Sequence, residues 1–121
     1  MANSELDSVL DLNTLEQYCS AIGAGTLLRS VVLFEKLLPE YLAKLKAAYD
    51  AGDNDVLCSE AHKFKGAAGS VGLKRVHHLA QYLQHGEDPQ WAAHHAEWLA
   101  EIMKLIEGDL ATLKRFLEEK A

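Results

Sequence analysis

Residues 53–74 read DNDVLCSEAHKFKGAAGSVGLK. On a helix advancing about 100° per residue, Leu57, Ala61, Phe64, Ala68 and Val71 fall on one stripe. That spacing predicts an amphipathic helix over about 54–70, with Asp53 as its N-cap and Gly72 breaking it. His62 lies off the stripe, and Lys65, Gly66 and Gly69 share its sector. The pattern is a histidine projecting outward from a packed helix, beside a lysine and over two glycines. Each glycine inside a helix costs about 1 kcal/mol relative to alanine. Close approach of a partner surface to the imidazole accounts for that cost. Helix–helix packing at Gly66 and Gly69 is the alternative, and the two roles are compatible.

The flanks continue in the same style. Leu12, Leu15, Tyr18, Cys19 and Ile22 share a face of a first helix that starts near Asp11 or Asn13 and ends at Gly23 and Gly25. Leu27, Leu28, Val31, Leu38, Leu42, Leu45 and Tyr49 recur at spacings of three and four, which predicts a long helix over about 26–50. Pro39 removes a backbone donor in its middle, so a kink or break is expected there. Beyond Gly72, Leu73, Val76, Ala80 and Leu83 form the core stripe of a helix over about 73–85, stopped by Gly86. Asp88 followed by Pro89 reads as a cap-then-proline start for a last helix running to about 119. No strand pattern, internal repeat or low-complexity segment is present. Residues 1–10 read as a flexible N-terminus and 11–121 as the domain. The fold class is all-α: an antiparallel four-helix bundle with a short N-terminal helix.

At 121 residues the chain is one domain, too short for a two-lobed nucleotide enzyme. Its 18 acids against 12 Lys plus Arg give a net charge of −6, which argues against a dedicated nucleic-acid binder. The opening MANSELDSVLDL has no basic n-region, and no apolar run approaches the roughly 20 residues needed to span a bilayer. Two cysteines, Cys19 and Cys58, are few for a secreted disulfide framework. A cytoplasmic protein with reduced thiols is the simplest reading.

Neutral imidazole is a competent nucleophile near pH 7, because the unperturbed pKa of histidine is about 6.5. A phosphoryl group on it would carry roughly two negative charges, which Lys65 would partly offset. Neither the GxxxxGK(S/T) loop nor GxGxxG after a strand is present, so no nucleotide site is legible. The phosphoryl group must therefore arrive from one protein and leave to another. Lys63, Lys74 and Arg75 add positive charge near His62, against the overall negative balance.

The segment AHKFKGAAGSVGL, residues 61–73, resembles the signature of histidine-containing phosphotransfer (HPt) domains, in which HxxKG surrounds the phosphorylated histidine. The likeness extends to LEQY at 15–18, VLFEKLLPEY at 32–41, and PQW and EW near 89–98, so it covers the chain from about residue 9 to the end. These runs are similar to the HPt module that closes a hybrid sensor kinase. The resemblance implies a four-helix bundle with His62 as phosphoacceptor, Lys65 as stabiliser of phosphoryl charge, and Gln84 as the polar residue that orients the imidazole. It also implies a receiver-docking surface, to which Lys63, Gly66, Gly69, Lys74 and Arg75 are assigned. The expected partners are the receiver domain of a hybrid sensor histidine kinase and the receiver of a response regulator. No nucleic acid or membrane is expected to bind, and the chain is expected to be a monomer. No cofactor is expected on this chain; Mg²⁺ is expected on the partner receiver. The chain would be a phosphotransfer protein without autonomous kinase activity. It opens with Met and carries no kinase or receiver of its own, which favours a free-standing protein over an excised segment.

Three competing readings remain. Cys58 stands one turn before His62, but nucleophilic acyl chemistry would also need an orienting group and an oxyanion hole, and neither is visible. A metal-binding bundle needs ligands at i, i+3 or i, i+4; no pair of histidines has that spacing, and His94 with Glu97 is a single pair. A non-catalytic helical adaptor is the third.

Overall fold

A computed structural model describes residues 3–121. Six helices follow in order: α1 Asn3–Val9, α2 Leu12–Ile22, α3 Ala24–Asp50, α4 Asn54–Ser70, α5 Lys74–Gln84 and α6 Trp91–Lys120. No strand occurs among the described residues. Helices α3 to α6 form the bundle: each packs on the next in sequence through a short connection, and α6 closes the ring against α3. Helix α2 lies on α3, and α1 lies on α5.

The apolar stripes meet in one core. Leu57, Ala61, Phe64 and Ala68 of α4 are fully buried, as are Val76, Ala80 and Leu83 of α5. Phe64 lies against Phe34 and Tyr41 of α3, with ring centroids 6.4 and 6.0 Å away. Burial of each large side chain contributes about 1.5–3 kcal/mol, so this aromatic contact holds α4 firmly on α3. Helix α6 supplies Ile102, Ile106, Leu113 and Leu117, all fully buried. The indole of Trp91, at its start, donates from Nε1 to the Leu83 carbonyl at 2.8 Å and thereby ties α6 to the end of α5.

Chain turns follow the capping chemistry. Asp53 caps α4 by accepting from the Val56 amide at 3.2 Å. Asp11 caps α2 by accepting from the Thr14 amide at 3.2 Å and its hydroxyl at 2.8 Å, and these bonds, the hydroxyl above all, hold its carboxyl below the ordinary value. Gly23, Gly52 and Gly72 adopt φ of +87°, +68° and +81°, the left-handed turns that favour glycine. At Gly72 space matters as well: an added Cβ would stand 2.7 Å from the Leu15 side chain.

Three boundaries differ from the sequence reading. The segment read as a flexible N-terminus forms α1, and Val9 and Leu10 are buried in the core. Its Leu6, Val9 and Leu10 have helical spacing, but two turns are too few to stand alone without the tertiary contact that α5 provides. Residues 1 and 2 lie outside the described residues. Pro39 lies inside α3 and does not break it. The buried Leu38 and Leu45 on either side dock both halves on one core, which outweighs the one missing donor. Finally, α6 begins at Trp91 rather than at Asp88–Pro89, because Asp88 spends its carboxylate on the Gln90 amide, 2.8 Å away, within the preceding turn.

Candidate functional site: the exposed face of α4

His62 is exposed on α4, directly after the fully buried Ala61. The core stripe fixes the helix, so the imidazole is presented outward from a rigid support. One turn on, Gly66 is exposed, and a Cβ added there would meet nothing within 4 Å. No internal packing therefore accounts for this glycine. Lys65 is half-buried and makes no ion pair among the described residues, so its ammonium is available to an incoming anion.

The other charges are distributed differently from the sequence expectation. Lys63 adjoins His62 but pairs with Glu60 at 3.3 Å. Lys74 and Arg75 open α5, beyond the far end of α4. Lys74 meets Asp7 of α1 at 3.5 Å. Arg75 forms a two-pronged pair with Asp109 of α6, the one buried charged residue among those described. That carboxylate holds the Arg75 guanidinium even further above its usual pKa. Of the basic residues expected near His62, Lys63 and Lys65 share α4 with it, while Lys74 and Arg75 pair with α1 and α6. Asp109 was missed in the sequence, although an acid at i+3 from Ile106 on an apolar stripe is the available signal.

Gly69 also departs from the docking surface expected of it. It faces α5, and a Cβ there would stand 2.7 Å from Nδ1 of His77 and 3.0 Å from its Cε1. Nδ1 of His77 lies 3.0 Å from the Lys65 carbonyl. Of the two glycines, one opens toward solvent and the other admits a neighbouring ring.

Helices α4 and α5 run antiparallel, with Lys65 beside His77 and Cys58 beside Gly86. Gln84, two residues before Gly86, lies opposite the stretch of α4 between Cys58 and Lys65, the stretch that carries His62. Its Oε1 is buried and has no hydrogen-bond partner. No hydrogen bond joins Gln84 to His62 among the described residues. A buried carbonyl left unpaired costs about 1–3 kcal/mol, so Gln84 holds an acceptor in waiting.

Cys19 and Cys58 are free thiols. Burial pushes the Cys58 thiol up, which keeps it protonated at neutral pH and unsuited to attack. Among the described residues no group of three His, Cys, Asp or Glu side chains is placed to hold a metal ion. His94 meets Glu97 at 3.4 Å on the surface of α6, as an isolated pair. Nor is any described helix long and apolar enough to cross a membrane.

The described face of α4 thus presents an outward histidine on a closed helical bundle, with an unpaired lysine and an open glycine one turn on. The Hpt domain family matches residues 29–116. The chain belongs to that family and is a histidine phosphotransfer domain of two-component phosphorelays. It is 35% identical over 115 residues to the aerobic respiration control sensor protein ArcB of Escherichia coli K12 and to ArcB of Shigella flexneri, covering 95% of this chain. The chain spans about 15% of the length of these curated relatives. The solved histidine-containing phosphotransfer domain of ArcB from Escherichia coli superposes with a TM-score of 0.93 at 32% identity, covering 97% of this chain and 99% of that one. A solution structure of the same domain gives 0.86 at 34% identity, covering 96% and 93%.

Proposed function

We propose that His62 is the residue that accepts and donates the phosphoryl group. The observation that carries this reading is the open approach to an exposed imidazole over Gly66, a glycine that nothing inside the bundle requires. The donor is the aspartyl phosphate of a receiver domain in a hybrid sensor histidine kinase. A ring nitrogen of His62 attacks phosphorus with its lone pair, the bond from phosphorus to the aspartate oxygen breaks, and the carboxylate leaves with the electron pair. The reverse step, on the receiver of a response regulator, moves the phosphoryl group from His62 to a second aspartate.

Lys65 offsets the charge that builds on the phosphoryl oxygens. Gln84 accepts a hydrogen bond from the Nδ1–H of His62 on its buried Oε1, which supplies that oxygen with a partner and leaves the Nε2 lone pair free to attack. Mg²⁺ is held by the receiver and not by this chain. Gly66, with Lys63 at its side, forms the part of the surface on which the receiver docks. Each partner must reach the same face of α4 in turn, so the carrier works as a monomer. Its two free thiols suit a reducing, cytoplasmic setting.

His62→Gln is expected to abolish labelling by a phosphorylated receiver while leaving the helical circular-dichroism signal unchanged. Persistent labelling of that variant overturns the assignment.

A further inference from the structure

We propose that His77 is a positioning residue for phosphoryl transfer: bonded through Nδ1–H to the Lys65 carbonyl across Gly69, it locks the register between α4 and α5 that sets Lys65 and Gln84 around His62. The inference rests on the function proposed above and adds a residue that stands twelve positions from the Lys65 carbonyl it binds.

The geometry carries it in three steps. The Lys65 carbonyl is an acceptor only, so the nitrogen 3.0 Å away must carry a proton. That fixes His77 with hydrogen on Nδ1. Within α4 the same carbonyl already accepts from the amide one turn ahead, at Gly69, and its second lone pair takes the imidazole. Then there is space. The ring occupies the notch at Gly69, where any Cβ would stand 2.7 Å from Nδ1. Glycine at 69 and histidine at 77 therefore form one unit, and the missing side chain is the condition for the bond. The last step is register. Sliding α5 by a single residue moves it about 1.5 Å along its axis, which breaks a 3.0 Å bond and shifts Gln84 along α4 by the same amount. An error of about 1 Å at a reacting group is enough to cost up to roughly a hundredfold in rate.

A purely packing role makes a different demand. Any side chain that fills the notch would satisfy it, and leucine approximates the volume of the ring. Asparagine, in contrast, places an amide N–H where histidine places Nδ1–H. His77→Leu and His77→Asn therefore separate volume from hydrogen bonding. The experiment measures the rate of phosphoryl transfer from a phosphorylated receiver to each variant and to the wild type. It is accompanied by the nitrogen NMR spectrum of the histidine rings and by a urea titration of each protein.

The expected result is a roughly three- to tenfold slower transfer in His77→Leu, the factor that one hydrogen bond commands, with the rate restored in His77→Asn. The wild-type spectrum should show His77 protonated at Nδ1. A His77→Leu protein that transfers at the wild-type rate overturns the inference. So does equal slowing in both variants, because that result assigns the effect to packing. If the wild-type chain accepts no phosphoryl group, the proposed function falls and takes the inference with it. Normal wild-type labelling with unaltered His77→Leu kinetics removes this inference alone.

Discussion

Gly66 and Gly69 are three residues apart on α4, and both stand beside His62 on a helical projection. They do opposite work. The space over Gly66 is empty to 4 Å, whereas the space over Gly69 is filled by the His77 ring. A helix surface has more than one side to serve, and a residue one turn from a functional group can belong to the neighbouring helix instead of the partner protein. Two positions with the same propensity cost thus differ in surroundings: one is open, and the other is filled by a ring of the neighbouring helix.

This contrast can be broken from either side. The largest effect is expected at the open position. Gly66→Gln places a long side chain on the approach proposed for the receiver, and transfer should fall by about a hundredfold. Its urea midpoint should stay at or above the wild-type value, because glutamine is the better helix former. Wild-type transfer in this variant ends the account of Gly66. The next effect lies at the filled position. Gly69→Ala forces the His77 ring from its notch, an overpacking cost of about 1–3 kcal/mol from which the helix recovers about 1 kcal/mol. A net loss of up to roughly 2 kcal/mol should appear as a lower urea midpoint with an unchanged slope. Unchanged stability would mean that the ring leaves freely and that the notch is incidental. The smallest effect sharpens the comparison with a minimal change. Gly66→Ala should raise stability by up to about 1 kcal/mol in the same titration, opposite in sign to the alanine three residues later.

The local pattern explains why the sequence separated the helices but not the glycines. The stripe Leu57, Ala61, Phe64, Ala68 is a property of one helix, and it is buried as its spacing predicts. Gly66 and Gly69 differ only in what stands across from them, and His77 is brought there by a turn through Gly72 that periodicity does not describe. Arg75 likewise looks like part of a basic surface until Asp109, 34 residues on, is seen to meet it. Lys74 is diverted by α1, a two-turn helix whose Leu6 and Val9, with Leu10 just beyond, are too few to announce themselves without α5 beneath them. For Gln84, spacing located the residue beside the core stripe, but the unpartnered state of Oε1 is a fact of packing. Interactions within one helix were legible, then, and those that depend on two helices meeting were not.

The ring of Trp91 has a further use. It is buried, stacked on His95 with centroids 4.0 Å apart and planes 6° from parallel, and held by its bond to Leu83. Trp98, two turns along α6, is only half-buried, beside the exposed Tyr82. The protein thus contains two emitters in unlike surroundings, one sealed where α5 hands over to α6 and one in reach of solvent. Intrinsic fluorescence should resolve into two components, with collisional quenchers such as iodide acting on Trp98 first. An unlabelled chain can then report, by light alone, whether a partner covers the α5–α6 flank or leaves it bare.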